Sequence, residues 1–234
     1  MAAPEGADPR LERLLDSAAE LLLRWGYQRV TIDDVARHAG IGKGTVYLHF
    51  RSKDALFLTV LLRVQRQIAG RMADRMAADP REVLPSRTMR GLYDELTADP
   101  VARVLYLGDA EVLGRLAHEA GGTMGELAGL REQAVAHHMR LLADAGCLRP
   151  GLDADSALYA FAATATGFLF VDGFGYGTLL PDAARAELLE QTIAAAVQAP
   201  DPPPAALARV APEIAQRYRA LLVHIDHEWR RRVR

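Results

Sequence analysis

The chain has 234 residues, half of them hydrophobic and a quarter charged, and its formal net charge is −2. This length allows one large or two small globular domains. Because the net charge is close to zero, affinity for nucleic acid would have to come from a local basic patch. The single cysteine, Cys147, excludes a disulfide framework and a zinc ribbon, and it favours a reducing, cytoplasmic location.

Neither a signal peptide nor a membrane span is predicted. The first ten residues lack a basic stretch followed by an apolar one. The longest mostly apolar run, 158–171, is too short to cross a bilayer and favours a buried helix. Residues 1–8 are small and polar without periodicity, so we expect a disordered arm.

Apolar residues then recur at spacings of three and four, which predicts a first helix. Asp8 and Pro9 are typical of a helix start, and Gly26 is well placed to end the helix in the left-handed conformation. The predicted apolar stripe consists of Leu11, Leu14, Leu15, Ala18, Leu22 and Trp25.

Two short helices follow, and they are joined by a tight turn. Thr31 begins the second helix, with Asp34 three residues later in a variant of the capping box. Gly40 ends it, and a third helix is predicted from Lys43 to Phe50. Ser52 then caps a long fourth helix over 53–77.

The remaining sequence predicts further helices and no strand, since a period of two is never sustained. Helices are predicted over 124–145, 153–172 and 181–199, with a break at 121–122 and a loop at 173–177. A proline-rich linker over 200–204 precedes a final amphipathic helix. The expected fold is therefore all-α, with an arm over 1–8, a helix-turn-helix domain over 9–56, a larger helical domain over 57–199 and a C-terminal segment over 200–234.

A helix-turn-helix places its second helix in the major groove of DNA, which requires a tight turn and short side chains facing the groove. Gly40 supplies the turn, while Gly44 and Thr45 are short enough to allow close approach. Lys43 adds a positive charge at the start of the third helix. Tyr47, His49 and Lys53 can each donate a hydrogen bond to a phosphate.

The charge of this region is modest. Residues 27–56 contain five basic and three acidic residues, so their net charge is +2. We therefore expect moderate, salt-sensitive affinity for DNA. The only two lysines of the chain, Lys43 and Lys53, both lie here.

The run from Val30 through Lys43-Gly44-Thr45-Val46-Tyr47 and His49-Phe50 to Ser52-Lys53 and Leu56 resembles the DNA-binding domain of TetR-family transcriptional regulators. The resemblance covers residues 10–60. It implies a two-domain helical subunit, a homodimer, a palindromic double-stranded DNA operator and a repressor released by a small-molecule effector. It also implies phosphate contacts by Thr31, Lys43, Tyr47, His49 and Lys53, and base contacts by Gly44, Thr45 and part of Tyr47. Gly42 departs from the serine that is common at this cap.

An effector pocket between the later helices would be lined by the same residue types as a core. We expect an apolar or aromatic ligand, because these helices contain few charges that look buried. The candidate lining residues are Tyr93, Tyr106, His137, Phe161 and Thr164. The helices predicted over 153–172 and 181–199 are apolar on more than one face, which favours a four-helix dimer interface.

Other chemistries are less well supported. The sequence GKGT at 42–45 lacks the spacing of a phosphate-binding loop. A metal site formed by His118, His137 and His138 is not favoured, because His137 and His138 are adjacent and point about 100° apart on a helix, so they chelate poorly. We find no pattern of a nucleophile with its base, and we predict no enzyme activity, metal or cofactor. Two alternatives remain open: an activator of the same fold, and a helical module whose final helix binds a protein partner.

Overall fold

The computed structural model describes residues 8–108, 116, 122–171, 176 and 179–232. Within these residues the chain is helical and has no β-strand, apart from an isolated bridge between Leu148 and Gln198. The all-α prediction is confirmed. The predicted arm over 1–8, except for Asp8, lies outside the described residues, as do the break at Gly121, the loop over 173–177, except for Tyr176, and His118.

The N-terminal part contains four helices. They are α1 (Pro9–Arg29), α2 (Ile32–Ala39), α3 (Lys43–His49) and α4 (Lys53–Ala78). A 3-10 turn (Pro80–Val83) leads to α5 (Pro85–Ala98), and the short α6 (Pro100–Ala102) continues into a π-helical segment (Arg103–Gly108). The later helices are α7 (Gly122–Asp144), α8 (Ala154–Phe170), α9 (Asp182–Val197) and α10 (Pro204–Arg232).

Helix α1 differs from its predicted form near its end. Gly26 has a positive φ of 76°, but its ψ of 159° lies outside the left-handed helical region that was predicted, and helical hydrogen bonding resumes after it and extends to Arg29. The irregular backbone at Gly26 changes the direction of the following side chains. Tyr27, which follows Gly26, is buried, whereas Trp25, which precedes it and was predicted to belong to the apolar stripe, is 41% exposed.

The chain forms two compact units. The first contains the described residues within 1–66, 100–125 and 224–234, and the second those within 67–99 and 126–223. The core of the first unit is built from α1 and the first half of α4, where Phe57, Val60, Leu61 and Val64 are buried. The last turns of α10 belong to this unit, where Ile225 and Trp229 are buried and Arg66 donates to Asp226. The domain bounds expected from the sequence stay a prediction.

The second unit is centred on α5, α8 and α9, which contact one another. Its core includes Met139 and Leu142 of α7 and Leu189 and Ile193 of α9. Cys147 is fully buried, and burial raises the pKa of its thiol. In α10, Pro212 lies inside the helix, and the apolar residues Leu207, Ile214 and Tyr218 are buried. These buried residues are not available to a protein partner.

Helix α8 buries little of its apolar surface. It contains one charged residue, Asp155, yet only Ala157 and Ala165 are buried. Tyr159 is 78% exposed, and Phe170 is also exposed. Leu188 of α9 is exposed as well, so both helices leave apolar side chains uncovered within one chain.

Within the described residues, no helix is long and apolar enough to cross a membrane.

Candidate DNA-binding site

Helix α2 begins with a complete capping box, as predicted. The backbone N–H of Asp34 donates to Thr31 Oγ1 over 3.2 Å, and the backbone N–H of Thr31 donates to Asp34 Oδ2 over 3.1 Å. The hydroxyl of Thr31 also donates to Asp34 Oδ2, and this hydrogen bond is the main cause of the lowered pKa of Asp34. Thr31 is exposed, so it can approach a phosphate while it caps the helix.

The turn between α2 and α3 depends on Gly40. Its φ of 65° lies in the left-handed region, which glycine adopts without steric cost, and its N–H donates back to Ala36 and Arg37. Gly42 then caps α3 without any side-chain hydrogen bond. Val46 and Phe50 are buried and fix one side of α3 to the core.

The opposite side of α3 is exposed, and we call it the α3 exposed face. It consists of Lys43, Gly44, Tyr47 and Leu48. Residues four apart lie on the same side of a helix, so Lys43 stands above Tyr47, with its Nζ 5.9 Å from the ring centre. A Cβ added at Gly44 would meet nothing within 4 Å. Thr45 and His49 are half-buried at the edges of this face.

Lys43 has an acidic partner that the sequence interpretation missed. Its Nζ donates to Asp33 Oδ2 over 2.8 Å, and both side chains are about half exposed. This hydrogen bond raises the pKa of Lys43. The pair joins α2 to α3 across the turn and reduces the positive charge available at the start of α3.

Lys53 occupies a different environment. Its Nζ donates to the backbone carbonyl of Tyr27 over 2.9 Å and lies 4.3 Å from the centre of the Tyr27 ring. Tyr27 also donates its hydroxyl to Asp54 and packs edge-on against Phe57. Lys53 therefore ties the start of α4 to the end of α1, and a phosphate would have to compete with these carbonyl contacts.

The structure brings together five of the seven predicted DNA-contacting residues, on α3 and its edges, and places Thr31 and Lys53 at the starts of α2 and α4. The sequence interpretation missed two residues, Asp33 and Leu48. The spacing of four from Gly44 could have indicated Leu48. Asp33 and Lys43 lie on different helices, so no spacing within one helix could have indicated that they form a pair.

These features define a helix-turn-helix protein whose second helix exposes a flat, weakly basic face of the kind that enters a DNA major groove. Residues 14–60 match the family described as "Bacterial regulatory proteins, tetR family". The chain therefore contains, over these residues, a domain similar to the DNA-binding domain of TetR-family transcriptional regulators.

The curated relatives match over a limited length. The transcriptional activator FasR of Mycolicibacterium smegmatis is 39% identical over 79 residues, which are 33% of this chain and 36% of FasR. The chain spans about a third of the length of the curated relatives that it matches.

Two solved structures share the fold over most of the chain. One is SmeT, the repressor of the Stenotrophomonas maltophilia multidrug efflux pump SmeDEF, in complex with triclosan. It is 24% identical with a TM-score of 0.62, covering 82% of this chain and 93% of that one. The other is FadR of Bacillus subtilis with stearoyl-CoA, which is 18% identical with a TM-score of 0.57, covering 78% and 96%.

The predicted effector residues lie in several environments. Tyr93 of α5 is buried, while Phe161 and Thr164 of α8 are half-buried. Tyr106 belongs to the first unit and the other four to the second. His137 lies 2.8 Å from a carboxylate oxygen of Glu213. The predicted lining therefore stays a prediction.

A small cleft in the second unit contains none of these five residues. It has a volume of about 10 Å³, about the space of one water molecule. Its lining is Met72, Arg75, Met76, Glu82, Arg87, Thr88 and Gly91. Its charged side chains pair internally, since Arg75 and Arg87 both donate to Glu82.

His138 is the buried member of the histidine pair. One ring nitrogen, Nε2, lies 2.6 Å from the carbonyl oxygen of Val83, and the other, Nδ1, lies 3.2 Å from the hydroxyl of Tyr218. A carbonyl can only accept, so Nε2 carries the proton and Nδ1 accepts from Tyr218. The pKa of His138 is lowered to about 4, mainly by burial and to a smaller extent by the nearby His137, while the Val83 contact opposes the shift. Among the described residues, no group of three or more potential ligands could hold a metal ion.

Proposed function

We propose that this chain is a homodimeric transcriptional repressor that binds a palindromic operator and is released by a small apolar or aromatic ligand. The observation that carries the proposal is the α3 exposed face, because it combines a base-accessible glycine with phosphate donors on a helix whose other side is buried. The proposed activity consists of binding and includes no chemical conversion.

The uncovered apolar side chains of α8 and α9 support the homodimer. A helix with a single charge and only two buried residues would expose an unusually apolar surface if the subunit stayed alone. In a dimer with two-fold symmetry, both subunits use the same surface, so the same surface of a second copy would cover Tyr159 and Leu188. Two DNA-binding units would then be presented together, which compensates for the low charge of each.

Two solved structures of the same fold support a ligand with an apolar or aromatic part. SmeT and FadR, which share the fold, were solved with triclosan and with stearoyl-CoA. In the proposed mechanism the ligand binds the second unit and shifts α4, which contributes residues 53–66 to the first unit and 67–78 to the second. A ligand can shift this equilibrium only by its difference in affinity between the two arrangements.

The test of DNA binding starts from a pool of random duplexes and the purified chain. We expect enrichment of an inverted repeat whose half-sites lie about 34–36 Å apart, with an affinity that falls steeply with salt. Adding triclosan or stearoyl-CoA, one at a time, tests for release. Failure to enrich any sequence would refute the proposed function.

The proposed change in separation between the two DNA-binding units of the dimer can be measured with one spin label per subunit, attached at Arg37→Cys. Arg37 is 76% exposed in its side chain, and the native Cys147 is buried, so labelling is selective. We expect the distance between the labels to change when a releasing ligand binds. An unchanged distance would contradict the proposed mechanism.

An activator of the same fold is the second candidate, because FasR, which is 39% identical over its matched part, is described as an activator. Deleting the gene separates the two functions. Expression from a reporter placed behind the enriched sequence should rise for a repressor and fall for an activator.

A further inference from the structure

We propose that Leu48 determines part of the operator sequence by contacting the 5-methyl group of a thymine in the major groove. The inference rests on the proposed function and adds a specificity-determining residue to the α3 exposed face.

Leu48 is the most exposed large hydrophobic residue among those that the structure describes. Its side chain is 80% exposed, although it belongs to a helix that is anchored by buried residues. Val46 lies two positions earlier, which corresponds to about 200° around the helix. Leu48 therefore points away from the core, on the side opposite Val46.

Gly44 places Leu48 close to the bases. The two residues are four apart and lie on the same side of α3. Because Gly44 has no side chain and nothing lies within 4 Å of the position of a Cβ there, the start of α3 can approach the groove floor closely. Leu48 follows one turn later on the side that would face the bases.

The chemistry of a leucine limits what it can contact. It has no donor or acceptor, so it gains nothing from a phosphate or from the polar edges of guanine, cytosine and adenine. The thymine methyl is the apolar group that base pairs present in the major groove. Burying one methyl group is expected to change the affinity about fourfold.

The experiment uses the sequence enriched from the random pool and replaces each thymine of one half-site in turn with deoxyuridine. This substitution removes the 5-methyl group and keeps base pairing. Affinities of the full-length wild-type chain and of Leu48→Ala are measured by fluorescence anisotropy for every duplex. We expect one thymine whose replacement weakens wild-type binding about fourfold and leaves Leu48→Ala binding unchanged.

Two further variants make the result specific. Leu48→Gln replaces the apolar side chain by a polar one of similar length. Its affinity should also be unchanged when that thymine is replaced by deoxyuridine. Its thermal unfolding should match that of the wild type. Leu23→Ala removes another exposed leucine of the first unit, on α1. Its binding should be weakened by the thymine replacement as much as that of the wild type.

Three results would overturn the inference while the proposed function stands. In the first, replacing the thymine weakens Leu48→Ala binding as much as wild-type binding. In the second, no replacement changes the affinity of the wild-type chain. In the third, the enriched half-site contains no thymine. If no sequence is enriched, both the proposed function and this inference fail.

Discussion

The ammonium group of Lys43 and the carboxylate of Asp33 form an ion pair of 2.8 Å across the turn of the helix-turn-helix. The pair lies beside the α3 exposed face, where a DNA backbone is expected to pass. A phosphate approaching Lys43 must displace the carboxylate or tolerate its repulsion. We infer that Asp33 lowers affinity for DNA in general and makes binding more dependent on base contacts.

Asp33→Asn should therefore strengthen binding to random-sequence duplexes several-fold, because Lys43 becomes available to phosphate. The slope of log affinity against log salt should steepen by about 0.9 for each additional phosphate contact. Titrations by fluorescence anisotropy at several salt concentrations measure both quantities. Asp201→Asn in the linker changes the net charge equally and should leave the slope unaltered; equal slopes in all three proteins would contradict the inference.

Tyr47→Ala should weaken operator binding about tenfold or more through the loss of a phosphate or base contact. Tyr47 is 47% exposed and contributes little to the core, so the unfolding midpoint in urea should barely change. Lys43→Ala should behave in the same way. Sedimentation should show the same association state for both variants, and unchanged affinity in both would refute the assignment of the α3 exposed face.

Lys53→Ala should differ from Tyr47→Ala in its effect on stability. Removing the ammonium leaves the carbonyl of Tyr27 without a charged donor and removes the contact with the Tyr27 ring. We expect a loss of about 1–2 kcal/mol in the free energy of unfolding. Urea denaturation of both variants provides the comparison. If Lys53→Ala is as stable as the wild type but binds DNA more weakly, Lys53 contributes only a phosphate contact and does not stabilise the fold.

The features predicted correctly from the sequence depend on short-range periodicity and capping. The capping box of Thr31 and Asp34, the turn at Gly40 and the cap of α4 by Ser52 each involve residues within a few positions of one another. Such contacts follow from helix geometry and backbone hydrogen-bonding needs. The helical bounds were accordingly close to those observed.

The features that the sequence did not predict depend on contacts between elements. The carbonyl partners of Lys53 are 25 and 26 residues away, and the partner of Lys43 lies on the preceding helix. The sequence showed two adjacent histidines, but only packing against Val83 and Tyr218 distinguishes His138 from His137. The exposure of Trp25 was likewise not predicted by the apolar spacing of α1.

Tyr159→Arg should prevent self-association of the chain. Tyr159 is 78% exposed on α8, where a charge in the proposed dimer interface would have to be desolvated without a partner. Analytical ultracentrifugation should show a monomer with unchanged helical content by circular dichroism. Val223→Arg places the same charge on an exposed residue of α10 and should leave the dimer intact. A dimeric Tyr159→Arg protein would place the interface elsewhere.

His138 should make the stability of the chain depend on pH. Its pKa is about 4 when folded and about 6.5 in the unfolded chain, so between these values the unfolded chain binds a proton that the folded chain does not. The contribution to stability is complete above pH 6.5 and falls toward pH 4, by up to about 1.4 kcal/mol per pH unit. Tyr218, whose pKa burial raises, stays a hydrogen-bond donor throughout.

Urea denaturation at pH 7.5, 6.5 and 5.5 tests this dependence. The wild type should lose stability as the pH falls, whereas His138→Gln should start from lower stability and show a smaller loss over the same range. His137→Gln, at the half-buried neighbouring position, should retain most of the wild-type dependence. If His138→Gln and the wild type lose stability in parallel, the buried imidazole does not take part in the acid sensitivity, because its protonation is the step that the glutamine removes.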